Sequence, residues 1–337
     1  MNLKNLDRAE LTAALAPLGV DFGVAGRLFA SVFAHGRTID GVLATRGLLR
    51  ESRERLRAVA LLPSLRVLQR HAAADGFLKY AFELHDGQRV EAVRIPLDGP
   101  KFTVCLSSQV GCAFGCTFCE TGRMGFSRNL ETWEIVDQVM QIRREAPLPV
   151  RGAVFMGMGE PLANYENVIR AARIMSDPAG LGIAARAISI STVGLVAQIR
   201  RYTREGHKYR LAVSLTAGTH EKRRRVLPVE DRYPIEDLAD ALREHARASG
   251  GRVMVQYVLI RGFNCGDDDV EALRRIFDGI PVRLSIIEVN DPRGQYLPPL
   301  PDELARFRSG LATLGQPVVR RYSGGKEVGA GCGMLAT

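Results

Sequence analysis

Three cysteines within one short loop constrain this chain more than any other feature. They are Cys112, Cys116 and Cys119 in the run Gly111-Cys112-Ala113-Phe114-Gly115-Cys116-Thr117-Phe118-Cys119, a C-x3-C-x2-C spacing with no fourth cysteine nearby. Thiolates are the ligands that iron–sulfur clusters and soft-metal sites select. A structural zinc site closes on four ligands, and an ordinary ferredoxin cluster takes four cysteines. Three thiolates on a four-iron cluster leave one iron open to another ligand. The competing reading is a zinc knob that borrows a histidine. His85, the nearest upstream, is far off in sequence, and no C-x2-C pair faces a pair of spaced histidines. The spacing therefore predicts a 4Fe-4S cluster.

Such a loop needs a scaffold, and the hydrophobic pattern supplies one. The first sixty residues read as a small helical unit. Asp7-Arg8-Ala9-Glu10 is a capping box ahead of Leu11, Ala14, Leu15 and Leu18 at helical spacing. A second helix is expected from Val24 to about Ala34, and short Arg-rich helices to about Leu61. This unit, residues 1–61, is equally readable as a nucleic-acid-binding module and as a packing appendage. Residues 62–101 read as a linker with short strands, in which Asp86-Gly87 turns a hairpin. Beyond Phe102 six strand–helix units follow, with strands at Phe102–Leu106, Gly152–Met156, Ala187–Ser191, Leu211–Leu215, Val253–Ile260 and Val282–Glu288. The expected fold is α/β: a partial (β/α)6 barrel over 102–322, a small N-terminal helical accessory domain and a C-terminal tail over 323–337. In barrels of this kind the functional groups sit on loops at the carboxyl ends of the strands. The cysteine loop follows the first barrel strand.

Charge adds a partner class. The chain carries 46 Lys+Arg against 37 Asp+Glu, a net +9, which favours a polyanion such as nucleic acid. The arginines are dispersed, and many are expected on solvated helix faces. The six cysteines of the sequence are not spread like a disulfide framework, so a reducing, cytoplasmic compartment is expected. No apolar run approaches a membrane span, and no membrane partner is expected.

C-x3-C-x2-C resembles the signature of radical S-adenosylmethionine (SAM) enzymes, in which SAM chelates the open iron. That resemblance gives the other rim residues a role. Gly159 and Glu160, in Gly157-Met158-Gly159-Glu160-Pro161, would hold the amino group of SAM. Ser191, and Ser214-Leu215-Thr216, end barrel strands where hydroxyls could bind its ribose or carboxylate, and Asn290 its adenine. Singly, each has an ordinary role as a turn or cap residue. Cys265 reads as a small core hydrophobe. Cys332 has no packing surface in Gly331-Cys332-Gly333, and so asks for a redox or covalent role.

Assembled, the chain resembles the RlmN/Cfr family of radical-SAM RNA adenine methyltransferases. The matches are Cys105-Leu106-Ser107-Ser108-Gln109-Val110-Gly111-Cys112, Gly125-Phe126-Ser127-Arg128-Asn129-Leu130, Met156 to Leu162, Ala212-Val213-Ser214-Leu215 and Cys332-Gly333. The resemblance implies methylation of an adenine ring carbon, carbon 2 with carbon 8 as the alternative, in ribosomal RNA with transfer RNA as second candidate. It implies two SAM per turnover. One methylates Cys332; the other yields a 5′-deoxyadenosyl radical that takes a hydrogen atom from that methyl group. Glu91 matches the family's proton acceptor, and Cys105 would release the product by forming a transient disulfide with Cys332. An electron donor such as flavodoxin or ferredoxin and a monomeric enzyme are implied too. Thr216 departs from a common histidine, and the tail before Cys332 lacks the family's usual acidic stretch. Two rivals stand beside this reading: a radical SAM enzyme acting on another substrate, and a non-catalytic RNA-binding protein with structural zinc.

Overall fold

Side-chain alternation along the central strands fixes the architecture. In the computed structural model, which describes residues 1–336, Ile188, Ile190, Leu211, Val213, Val255 and Tyr257 are buried on one face. Their alternates Ser191, Ser214 and Gln256 line a cavity on the other. Period-2 alternation thus turns apolar residues toward a helical layer and polar ones into a lumen. Thr337, the last residue of the expected tail, lies outside the described residues.

Four helices open the chain: α1 (Arg8–Leu15), α2 (Phe22–Phe33), α3 (Ile39–Leu43) and α4 (Arg50–Val59). The capping box forms as the spacing predicts. Asp7 Oδ1 accepts from the Ala9 and Glu10 amides at 3.0 Å each, and Glu10 Oε2 accepts from the Asp7 amide at 2.9 Å. Strands β1 (Arg66–Ala72), β2 (Leu78–Glu83), β3 (Arg89–Pro96) and β4 (Phe102–Cys105) then pair antiparallel in sequence. The hairpin turn falls at Asp86-Gly87, where the Gly87 amide donates to the Leu84 carbonyl. Residues 66–96 are therefore a sheet extension of the barrel, and only a short run joins them to the helices.

Next come β5 (Gln109–Gly111), α5 (Glu120–Arg123), β6 (Phe126–Asn129) and α6 (Thr132–Glu145), followed by β7 (Val150–Phe155), α7 (Tyr165–Ser176), β8 (Ile188–Thr192), α8 (Val196–Glu205) and β9 (Arg210–Ser214). The remainder comprises α9 (His220–Val226), α10 (Ile235–Ser249), β10 (Val253–Leu259), α11 (Asp267–Ile276), β11 (Val282–Glu288), α12 (Pro301–Ala312) and β12 (Val318–Arg320). The main sheet has the order β1-β2-β3-β4-β7-β8-β9-β10-β11-β12. From β4 to β12 all neighbours are parallel, as helical crossovers require. β1 and β12 are the sheet's two ends, so the barrel is open. The fold is α/β, a partial (β/α)6 barrel extended by β12.

The N-terminal helices dock on the outside of this barrel. Lys4 Nζ lies 2.5 Å from Asp137 Oδ1 on α6, both side chains being buried. Asp137 also accepts from the Leu65 amide at 2.7 Å. Glu10 receives Arg170 of α7 at 2.8 Å. A buried, multiply hydrogen-bonded pair of this kind fixes orientation more than it adds stability.

Candidate active site at the barrel mouth

The cysteine loop is braced by a two-stranded pair. β5 runs antiparallel to β6, and the Cys112 amide donates to the Gly125 carbonyl at 2.8 Å. Gly111 has φ +71°, and a Cβ there would stand 1.8 Å from the Gly125 oxygen. Only glycine lets the backbones approach so closely. The Cys119 amide donates back to the Cys116 carbonyl, which tightens the loop ahead of α5. Cys112, Cys116 and Cys119 all line one cavity at the carboxyl ends of the strands.

Gly159 and Glu160 line the same cavity. Gly159 has φ +96°, and a Cβ on it would meet Gln109 at 2.5 Å. Glu160 is held by backbone donors: the Val193 amide to Oε2 at 2.8 Å and the Leu162 amide to Oε1 at 3.0 Å. Burial pushes its carboxyl up to about 7, against the opposing pull of these donors and Thr192. Val193 is anchored in turn, because Arg223 Nη2 donates to its carbonyl at 2.6 Å. Arg223 is fully buried and ion-paired to Glu230, which also accepts from the Ile235 amide at 2.9 Å. Replacing Glu230 with alanine leaves an uncompensated buried charge. The Glu230→Ala protein is expected to lose about 3–5 kcal/mol, read as a lower urea midpoint at unchanged m.

Ser191, Ser214 and Asn290 also face this cavity. Ser191 Oγ donates to the Phe155 carbonyl at 2.6 Å. Asn290 Nδ2 donates to Ser323 Oγ at 2.8 Å, while its Oδ1 is buried with no partner. Leu215 and Thr216, expected beside Ser214, are buried and outside the lining. Leu215 follows Ser214 in the alternation and so points to the helical side. Thr216 adopts φ 59°, its carbonyl accepting from Asn264 Nδ2 at 2.6 Å. Thr192, beside Ser191 at the same strand end, lines the cavity too, and sequence reasoning missed Gln256 and Arg321, which also line it. Gln256 carries a legible signal, a lone polar residue within the otherwise apolar strand β10. Arg321 carries none.

The tail closes the mouth. The Gly325 amide and the Tyr322 hydroxyl both donate to Asp75 Oδ2 at 2.8 Å, in the β1–β2 turn. At its far end the Glu120 amide donates to the Gly333 carbonyl, and Thr121 Oγ1 to the Leu335 carbonyl at 2.6 Å. Between these ties the Cys332 amide donates to Ser323 Oγ at 2.9 Å. Cys332 lines both the cavity of the three cysteines and a neighbouring cavity that Cys105 lines. Burial, with Cys332 beside it, pushes the Cys105 thiol up to about 12; Arg321 opposes the shift. Glu91 on β3 is buried under the tail. Its Oε2 accepts from the Ala336 amide and its Oε1 from Lys79, both at 2.9 Å. Burial raises its carboxyl above the usual range, and Lys79 counteracts. Cys265 is buried against Ile260 and Asn264, away from both cavities.

Known proteins resemble this chain over nearly its whole length. The Radical SAM superfamily matches residues 106–276. A probable RNA methyltransferase of Myxococcus xanthus is 53% identical, covering 100% of this chain and 94% of its own. The dual-specificity RNA methyltransferase RlmN of Syntrophotalea carbinolica is 38% identical over 99% of this chain and 89% of its own. The crystal structure of a radical SAM methyltransferase from Sphaerobacter thermophilus aligns with a TM-score of 0.91 at 37% identity, over 99% of each chain. The chain belongs to the RlmN-type radical SAM family.

For a radical SAM protein the implied groups are a 4Fe-4S cluster and SAM, and the residues present fit both. Among the described residues no three His, Cys, Asp or Glu side chains converge on a single-ion site. The three thiols all line one cavity, as suits ligands that each serve a separate iron of one cluster. Burial pushes Cys112 up to about 12 and raises Cys116 and Cys119 as well. Thiolates at these positions need the positive charge of bound iron. A buried carboxyl at Glu160 and an unpartnered buried acceptor at Asn290 Oδ1 fit the cationic amino group and the N–H donors of SAM.

Proposed function

We propose that this radical SAM methyltransferase methylates an adenine ring carbon of RNA, carbon 2 with carbon 8 as the alternative. Ribosomal RNA is the first target and transfer RNA the second. One observation carries the reading: Cys332 borders both the cavity of the cluster cysteines and that of Cys105. A radical SAM enzyme of other specificity has no use for two such thiols. The relatives' names supply the substrate class, and the net charge of +9 agrees with it.

Cys112, Cys116 and Cys119 would hold the cluster, and with three protein ligands it would leave a place for SAM. Glu160 would take the amino group of SAM, Ser191 and Ser214 its ribose or carboxylate, and Asn290 Oδ1 an adenine N–H. When bound, the cluster supplies the electron that cleaves SAM reductively. Cys332 Sγ acts first as a nucleophile, taking a methyl group from one SAM by displacement; two SAM are consumed per turnover. That methyl carbon, once a hydrogen atom has been removed from it, adds to the electron-poor ring carbon and ties RNA to Cys332. The adduct's unpaired electron would return to the cluster, and Glu91 accepts the ring proton, a task its raised affinity for protons suits. The Cys105 thiolate attacks Cys332 Sγ, the S–CH2 bond breaks with its electron pair going to carbon, that carbon takes a proton to complete the methyl group, and a disulfide remains for an external reductant to open. Flavodoxin or ferredoxin is the electron donor proposed, and a monomer the working form. All six cysteines are unpaired among the described residues, which suits a reducing compartment such as the cytoplasm.

Mass spectrometry of nucleosides tests this. Unmodified ribosomal RNA, incubated anaerobically with cluster-loaded protein, SAM and reductant, is expected to yield a methyladenosine matching a carbon-2 or carbon-8 standard. SAM cleavage to 5′-deoxyadenosine with no methylated base in ribosomal or transfer RNA would overturn the assignment.

A further inference from the structure

A second cavity of the barrel opens at the opposite end and reaches up to Arg321, which also lines the site just described. It has a volume of about 810 Å³ and opens at the amino ends of β9 to β12. Arg210 begins β9, Arg252 immediately precedes β10, and Arg283 is the second residue of β11. Lys208 joins them, and all four are exposed and line the cavity. No carboxylate appears in its lining. Elsewhere the arginines of this chain are commonly matched with acids, as in Arg70–Glu145, Arg200–Glu244 and Arg201–Glu166. Among the described residues these four cations have neither an ion pair nor a side-chain hydrogen bond. Like charges gathered in a concave wall raise the local potential and concentrate anions there. Such repulsion is retained without benefit unless an anion relieves it.

We propose that this barrel-floor cleft is a second RNA contact, holding phosphodiester groups of the substrate outside the modified nucleotide. The inference rests on the RNA reading above and adds a place where RNA grips the enzyme. The recognising chemistry is guanidinium and ammonium against phosphate, which is independent of sequence. The span is reasonable. A seven-residue strand such as β10 is about 20 Å long, a distance that a folded RNA crosses and the two phosphodiesters of a trinucleotide do not. An RNA held at both ends gains affinity by effective concentration.

The test compares wild type with Arg210→Ala/Arg252→Ala/Arg283→Ala, and with Arg252→Ala alone should the triple variant be unstable. Visible cluster absorbance and melting temperature report folding. Binding is followed by fluorescence anisotropy from about 50 to 200 mM salt, with a ribosomal stem-loop and an adenine-containing trinucleotide as probes. The triple variant is expected to bind the stem-loop about tenfold more weakly, with a log–log salt slope shallower by about two. Trinucleotide binding is expected to stay unchanged. A folded variant with an unaltered slope, or equal losses for both probes, overturns the proposal. The readout is binding, so failure of the methylation assay with a changed slope condemns the assigned activity alone. Methylation with an unchanged slope condemns the cleft alone.

Discussion

A Cys105→Ala variant, supplied with SAM, reductant and RNA, is expected to accumulate a covalent adduct linking RNA to Cys332. Release of methylated RNA should fall roughly a thousandfold or more, as when a group acting directly in bond breaking is removed. The geometry gives the reason. Cys105 ends β4 and lines one cavity with Cys332. Met156 and Arg321 line the same cavity, but neither offers a nucleophile that could replace the thiol. A Cys105→Ala/Cys332→Ala protein should form no adduct, which assigns the attachment point. The pH dependence follows from the raised thiol. With Cys105 held up near 12 by burial and by its neighbour, the thiolate fraction grows with pH across the range the protein tolerates. Decay of the wild-type adduct should therefore quicken as pH rises from about 7 to 9. Free methylated RNA from Cys105→Ala at the parental rate would remove Cys105 from the mechanism.

What could be read in the sequence was local or periodic. The cysteine loop is a ligand set confined to eight residues, 112–119, and its chemistry needs no tertiary information. The α/β class follows from alternation of strand and helix patterns, and Asp86-Gly87 specifies its hairpin by turn chemistry alone. The difficulties have physical causes. β1 contains exposed polar residues on both faces, Arg66, Gln69, Arg70 and His71, so its pattern signals no buried side. Its pairing with β2 makes it a strand. The Ser214-Leu215-Thr216 expectation ignored the period of two, which turns Leu215 away from the lumen that Ser214 faces. Arg321 reaches the mouth only because β12 adds to the sheet beside β11. Sheet order is set by the whole chain, and no short window reveals it. The docking of residues 1–61 through Lys4 and Asp137 joins positions 133 residues apart, equally out of reach of local pattern.

Glu160→Gln is expected to weaken SAM binding to the cluster-loaded protein by about a hundredfold, measured by equilibrium dialysis. The two backbone amides and the hydroxyl of Thr192 that surround this carboxylate orient it without neutralising it. The ligand's ammonium would do that, and charge-assisted hydrogen bonds in buried sites carry about 1.5–3 kcal/mol each. Glutamine retains the shape and loses the charge, so a structural role alone would leave affinity nearly intact. The same carboxyl should be visible in the stability of the protein without its cluster. Its folded-state value, about 7, lies above the ordinary glutamate value of 4.5. Between those values the native state therefore holds a proton that the unfolded chain has released. Stability then falls as pH rises through this window, by about 1.4 kcal/mol per unit at most and roughly 3 kcal/mol in all. In Glu160→Gln that contribution disappears, and the difference in urea stability between the two proteins should change with pH in this sense and level off above about 8. A constant difference between pH 5 and 8, together with unaltered SAM affinity, would mean that Glu160 is only a turn cap. The two outcomes separate cleanly, because a cap needs an acceptor, whereas a cation site needs a buried negative charge, and the protein bears the cost of that charge whenever the site is empty of its cation.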